Sequence, residues 1–157
     1  MKPRLNAYQA APAVMKSMMA LESQAAGIGL GPLLMELVKI RASQINGCAF
    51  CLHMHTRDAR AKGEREERIY LLDAWRESPL YSARERAALA WTEAVTLVSQ
   101  THVPDDVYEQ ARAEFSEEEL VKLTLLVTTI NAWNRFAISF RSIHPVNVKA
   151  ASTATAA

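Results

Sequence analysis

The chain has 157 residues, half of them apolar and 22% charged, with 18 Lys plus Arg against 17 Asp plus Glu. That length suits one domain with a real core and no disulfide staples. A balance so close to neutral leaves no basic face to track a phosphate backbone, and excludes nucleic-acid binding as a leading role. No apolar run reaches the roughly 18 residues of a membrane span, and the start Met1-Lys2-Pro3-Arg4 lacks a following apolar stretch, so no signal peptide is read. The expected location is the cytoplasm, where two cysteines three apart point to metal binding or redox chemistry in preference to a structural staple.

Gly and Pro punctuate the chain in a pattern that predicts an all-α domain of six to seven helices. Pro12 suits the first position of a helix to about Ala25, and Gly27-Ile28-Gly29-Leu30-Gly31-Pro32 ends it. Leu33, Leu34, Leu37, Val38, Ile40 and Ile45 recur at helical spacing and define a second helix. Asn46-Gly47 is a turn signal. A third helix is predicted from Cys48 to Lys62, stopped by Gly63, and a fourth from Glu64 to Trp75. Ser82 with Glu85 makes a capping box for a long helix through Val98. After His102-Val103-Pro104-Asp105 comes a short helix to about Ala113.

Ser116 with Glu119 opens the last helix, expected to reach Ile143 before Pro145. Its run of Val121, Thr124, Val127, Thr128, Thr129 and Ile130 favours a strand locally. With no turn signal between Ser116 and His144, a strand that long is improbable and a buried helix is the better reading. The domain is expected to span 1–149, with 150–157 a disordered tail that lacks anything to bury.

Chemistry concentrates between Glu36 and His55. At about 100° per residue, Cys48, Cys51 and His55 fall within about 60° of one another on a helix, while His53 points away. A thiolate is the reactive form, and a helix N-terminus favours it at Cys48. An imidazole one turn beyond Cys51 can take a proton from it. Helical i,i+3 positions hold Cβ atoms about 5–6 Å apart, further than the roughly 3.8 Å of a disulfide. Closing the bond within a helix therefore requires the turn to tighten, giving a strained and easily reduced cross-link.

Three other readings stand beside this one. The bland reading of the cysteines is as small buried apolar side chains, which their joint occurrence with His55 on one face beside a helix break argues against. Zinc wants four tetrahedral ligands, which one pair of cysteines and a diverging His53 supply poorly. Glu36 alone is as well explained as a surface charge paired with Lys39 or Lys62. Glu93, within an apolar helix face, is a candidate second buried carboxylate with a weak catalytic claim. Trp75, Trp91 and Trp133, with Met15, Met18 and Met19, read as core or subunit-contact residues. No cofactor-binding or metal site is predicted.

The segment Glu36, Arg41-x-Ser43, Asn46-Gly47, Cys48, Cys51 and His55 resembles the core motif of the AhpD-like alkylhydroperoxidases of the carboxymuconolactone decarboxylase family. So do His55-Thr56-x-Asp58-Ala59, Arg84-Glu85-Arg86-x-Ala88, Trp91-Thr92-Glu93-Ala94-Val95-Thr96 and Asn131-x-Trp133-Asn134-Arg135. The resemblance spans about residues 10–145. It implies an all-helical fold assembled as a trimer or hexamer, the hexamer favoured. It also implies that Cys51 attacks an organic hydroperoxide or hydrogen peroxide and that Cys48 resolves the sulfenic acid. Glu36 and His55 would relay protons, and a dithiol or lipoyl-type protein would supply electrons. Peroxidase members carry a histidine just before the second cysteine, where this chain has Phe50. The family also holds muconolactone decarboxylases that lack the cysteine pair, so having both cysteines argues against that activity here; lactone chemistry and a non-enzymatic thiol module are the alternatives.

Overall fold

A computed structural model describes residues 2–145. Among them the fold is all-helical: α1 (Ala7–Ala10), α2 (Pro12–Ala26), α3 (Pro32–Asn46), α4 (Ala49–Ala61), α5 (Glu66–Tyr70), a single 3₁₀ turn (Leu72–Ala74), α6 (Ala83–Thr96), α7 (Val98–Thr101), α8 (Asp105–Glu114) and α9 (Glu117–Ser139). The expected helices are the six of ten residues or more, together with α5. The rest are single turns. The tail assigned to 150–157 lies outside the described residues, as does the domain limit at 149.

Both capping boxes form. Ser82 accepts from the Glu85 N–H and Glu85 reaches back to the Ser82 N–H, and Ser116 and Glu119 repeat the arrangement. The β-branched stretch of α9 stays helical because its apolar face packs into the core, and its threonine hydroxyls are satisfied by carbonyls in the preceding turn. Thr124 donates to Leu120 O (2.8 Å), Thr128 to Thr124 O (2.9 Å) and Thr129 to Leu125 O (2.7 Å). Leu123, Leu126, Val127 and Ile130 then face the core.

Three boundaries differ from the sequence expectation. The stretch 64–75 is not one α-helix but α5 followed by a 3₁₀ turn. Ile69, Leu72 and Trp75 all enter one apolar cluster, and a spacing of three matches the 3₁₀ repeat better than 3.6. The long helix from Ser82 breaks at Leu97, where the Thr101 hydroxyl bonds the Ala94 carbonyl (2.7 Å). α9 stops at Ser139, short of Ile143, and its last carbonyls receive Arg4, whose backbone N–H meets Phe140 O (3.0 Å) and whose guanidinium meets Ser139 O (3.1 Å).

The central element is α3, packed against α4, α6 and α9. Every residue from Leu34 to Ile40 is buried, as befits a helix without a solvent face. Its two apolar sides serve two clusters. Leu34, Met35 and Val38 join α6, α8 and α9 residues such as Leu123 and Leu126, while Leu37 and Ile40 join Ala59, Leu72, Trp75 and Leu89. Being buried all round, α3 also takes Glu36 and Lys39 inside, and each must find a partner there.

Candidate active site

The turn between α3 and α4 does two jobs at once. Gly47, at φ +68°, closes α3 in the left-handed conformation that glycine adopts at least cost. Its N–H donates to Gln44 O (3.1 Å) and the Cys48 N–H to Ser43 O (3.0 Å), the paired bonds of a Schellman ending. Cys48 is then also the N-cap of α4, with an extended backbone (φ −85°, ψ 92°), and its Sγ accepts from the Cys51 N–H (3.3 Å).

This corrects the expected geometry. Cys48 lies one residue outside α4, not in its first turn. The pair is joined in a disulfide across a Cα–Cα distance of 5.4 Å, within the ordinary range for such a bond. No tightened helical turn is required, because the extended N-cap residue already aims its side chain back over the helix start.

The turn is anchored from α9. The Asn46 amide donates to the side-chain oxygens of Asn131 (2.9 Å) and Asn134 (2.8 Å). Asn134 donates to Ser43 Oγ (3.1 Å), and Asn131 donates to Thr96 Oγ1 (3.0 Å) and Val127 O (2.9 Å). Asn134 and Ser43 are fully buried. The sequence marks Asn131 and Asn134 without a role. The signal for one was there: two amides three apart on the core face of a helix need internal partners.

His55, one turn beyond Cys51, is buried with both sulfurs, and Glu36 reaches it from α3: its Oε2 lies 3.0 Å from His55 Nδ1. The other carboxylate oxygen, Oε1, is held by the Lys62 ammonium. Burial pushes the Glu36 carboxyl upward, but the bonds from His55 and Lys62, with the charge of Lys39 nearby, outweigh it and hold the group down to about 2. Glu36 is thus paired with Lys62, as one sequence reading has it, yet it is 3% exposed and not a surface charge. Lys39 bonds Glu22 (3.2 Å) instead, and Trp133 Nε1 donates to the same carboxylate (2.9 Å).

His53 does turn away, stacking on His144 at 4.6 Å between ring centroids. Phe50 is half-buried. Glu93 is absorbed elsewhere: Arg41 Nε and Trp75 Nε1 each donate to its Oε1 at 2.8 Å, and Arg76 pairs with its Oε2. Among the described residues no three His, Cys, Asp or Glu side chains gather as a metal site, and no helix is long and apolar enough to cross a membrane.

The all-helical fold and the paired cysteines are those of an AhpD-like protein. Residues 12–94 match the carboxymuconolactone decarboxylase family, and the chain belongs to it. The chain is 46% identical to the uncharacterized protein YdfG of Bacillus subtilis, over 88% of this chain and 95% of that one. The crystal structure of an Agrobacterium tumefaciens protein of unknown function, suggested to be an antioxidant defence protein AhpD, superposes with a TM-score of 0.91. It is 49% identical and covers 93% of this chain and all of its own. The debrominase Bmp8 shares the fold at a TM-score of 0.75 but only 17% identity, over 88% of this chain and 75% of its own.

Proposed function

We propose that the protein is a thiol-dependent peroxidase that reduces an organic hydroperoxide or hydrogen peroxide and is recharged by a dithiol or lipoyl-type protein. The observation that carries this reading is the buried Cys48–Cys51 disulfide at the start of α4, with His55 one turn on and paired to Glu36. In the first step the Cys51 thiolate attacks the peroxide, forming a sulfenic acid and releasing an alcohol or water. Glu36 and His55 handle the proton. The Cys48 thiol then displaces water from the sulfenic acid to form the disulfide. A dithiol returns both cysteines to thiols and is itself oxidised to a disulfide.

The Cys51 N–H directed at Cys48 Sγ favours negative charge on Cys48. That suits Cys48 as the leaving thiolate when the reductant attacks Cys51, since a stabilised thiolate leaves faster. The proposed setting is the cytoplasm, and the proposed assembly is a symmetric homo-oligomer, a hexamer in preference to a trimer. Light scattering returning a single 17.4 kDa species at micromolar concentration would exclude that assembly. The test of function is peroxide consumption coupled to a dithiol. It is expected in the wild type and absent in Cys51→Ser, and a wild type inert toward every peroxide tried would return the reading to lactone chemistry or a non-enzymatic thiol module.

A further inference from the structure

Glu36 divides its two oxygens between two partners: Oε2 faces His55 Nδ1 and Oε1 faces the Lys62 ammonium. His55 is buried, whereas the Lys62 side chain is 42% exposed. The placement of Lys62 follows from the end of α4. Gly63 adopts φ +94°, its N–H meets Arg60 O (3.0 Å), and the Glu64 N–H meets Ala59 O (2.9 Å). This second Schellman ending sets Lys62 at the C-cap. Lys62 lies seven residues, two turns, beyond His55, so both fall on the face of α4 that meets α3.

We infer that Lys62 is a positioning residue: by clamping Oε1 of Glu36 it directs Oε2 onto Nδ1 of His55 and holds the imidazole as its Nδ1–H tautomer, with Nε2 left as the only acceptor. A carboxylate with one partner can rotate and offer either oxygen; one held at both ends cannot. The charged groups facing Glu36 are His55 and Lys62 from α4 and Lys39 from its own helix. Lys39 is already engaged by Glu22 of α2. Lys62 is therefore the cation that bonds the Glu36 carboxylate directly. An imidazole fixed in this way can accept the Cys51 proton without first changing tautomer. The imidazolium formed would rest against an ionised carboxylate.

The clamp rests on the peroxidase reading only for its use, not for its existence, and the experiment separates the two. Reduced wild type, Lys62→Gln and Lys62→Arg are compared by long-range nitrogen–proton spectra of the imidazoles, with His55 assigned through His55→Gln. The pH dependence of Cys51 alkylation is measured on the same proteins in a Cys48→Ser background. Wild type and Lys62→Arg are expected to show one Nδ1–H tautomer. Lys62→Gln should show a mixture, with the alkylation midpoint raised by roughly half a pH unit, since a half-exposed cation acts at the low end of the usual range. A Lys62→Gln protein with unchanged tautomer and midpoint overturns the inference, as does an Arg variant no better than the Gln one. A wild type that ignores peroxide but shows the Lys62-dependent tautomer leaves the clamp standing and removes the peroxidase reading.

Discussion

Two of the protein's sequestered carboxylates, Glu36 on α3 and Glu93 on α6, are treated differently. Glu36 is 3% exposed and shared between an imidazole and a lysine; Glu93 has a side-chain exposure of 15% and is shared among two guanidinium groups and an indole. Both are held below the ordinary carboxylate range, because burial opposes ionisation in each and bonds to donors overcome it. A displaced pKa therefore does not distinguish a reaction centre from a structural ion pair. The partners do. Arginine keeps its proton at any working pH and indole only donates, so the Glu93 cluster cannot pass a proton on. Histidine can, and His55 lies one turn from a redox-capable sulfur.

The widest separation between the two regions is expected from the sulfurs themselves. Cys51→Ser should lose both dithiol-coupled peroxide turnover and capture by a dimedone-type probe. Cys48→Ser should still form one sulfenic acid per chain. If Cys48 alone captures the probe, the division of labour is reversed.

Next comes the pair of carboxylates. Glu36→Gln or His55→Gln should slow sulfenic acid formation by ~10²-fold, the lower range for a positioned acid–base group. Glu93→Gln should leave that rate within about twofold and instead lower stability by about 1–2 kcal/mol, as a part-buried ion pair loses its charge. Stopped-flow kinetics and urea unfolding on the same variants check both. A slow but fully stable Glu93→Gln would erase the distinction.

The third effect is on stability against pH. Glu36 ionises in the fold at about 2, below the 4.5 of a free glutamate. Its folded value is depressed, so its contribution, about 3 kcal/mol by linkage, is complete above about pH 5 and lost as the pH falls towards 2. Urea midpoints should decline over that window in the wild type, and decline less in Glu36→Gln. Smaller again is the anchor on α9: Asn134→Ala strips partners from Asn46 and Ser43. It should cost about 2 kcal/mol without removing the Cys48–Cys51 disulfide, which mass spectrometry under mild oxidation would register as a loss of two hydrogens.

Much of this was written locally. Pro12, the two Ser–Glu capping boxes, Gly47 and Gly63 determine where helices start and stop, because each satisfies or relieves backbone groups within a few residues of itself. The face shared by Cys51 and His55 follows from helical periodicity, and Glu36, Cys48, Cys51 and His55 are legible as a set through their family motif. What depended on packing was not legible. The 3₁₀ turn at Leu72–Ala74 exists to bring Leu72 and Trp75 into one cluster with Ile69. Glu93 became an ion-pair hub only because α6 lies against Arg41 of α3 and Trp75 beyond it. Cys48 left the helix because it serves as the C-terminal bond of α3 and the N-cap of α4 together. Asn131 and Asn134 gained a role only when α9 met that turn, and of the two lysines the sequence offers Glu36, Lys62 was singled out only when α4 lay against α3 and Lys39 met Glu22. Caps and periodicity act over one or two turns of chain, whereas the partner of a buried polar group is chosen by whichever element the fold brings against it.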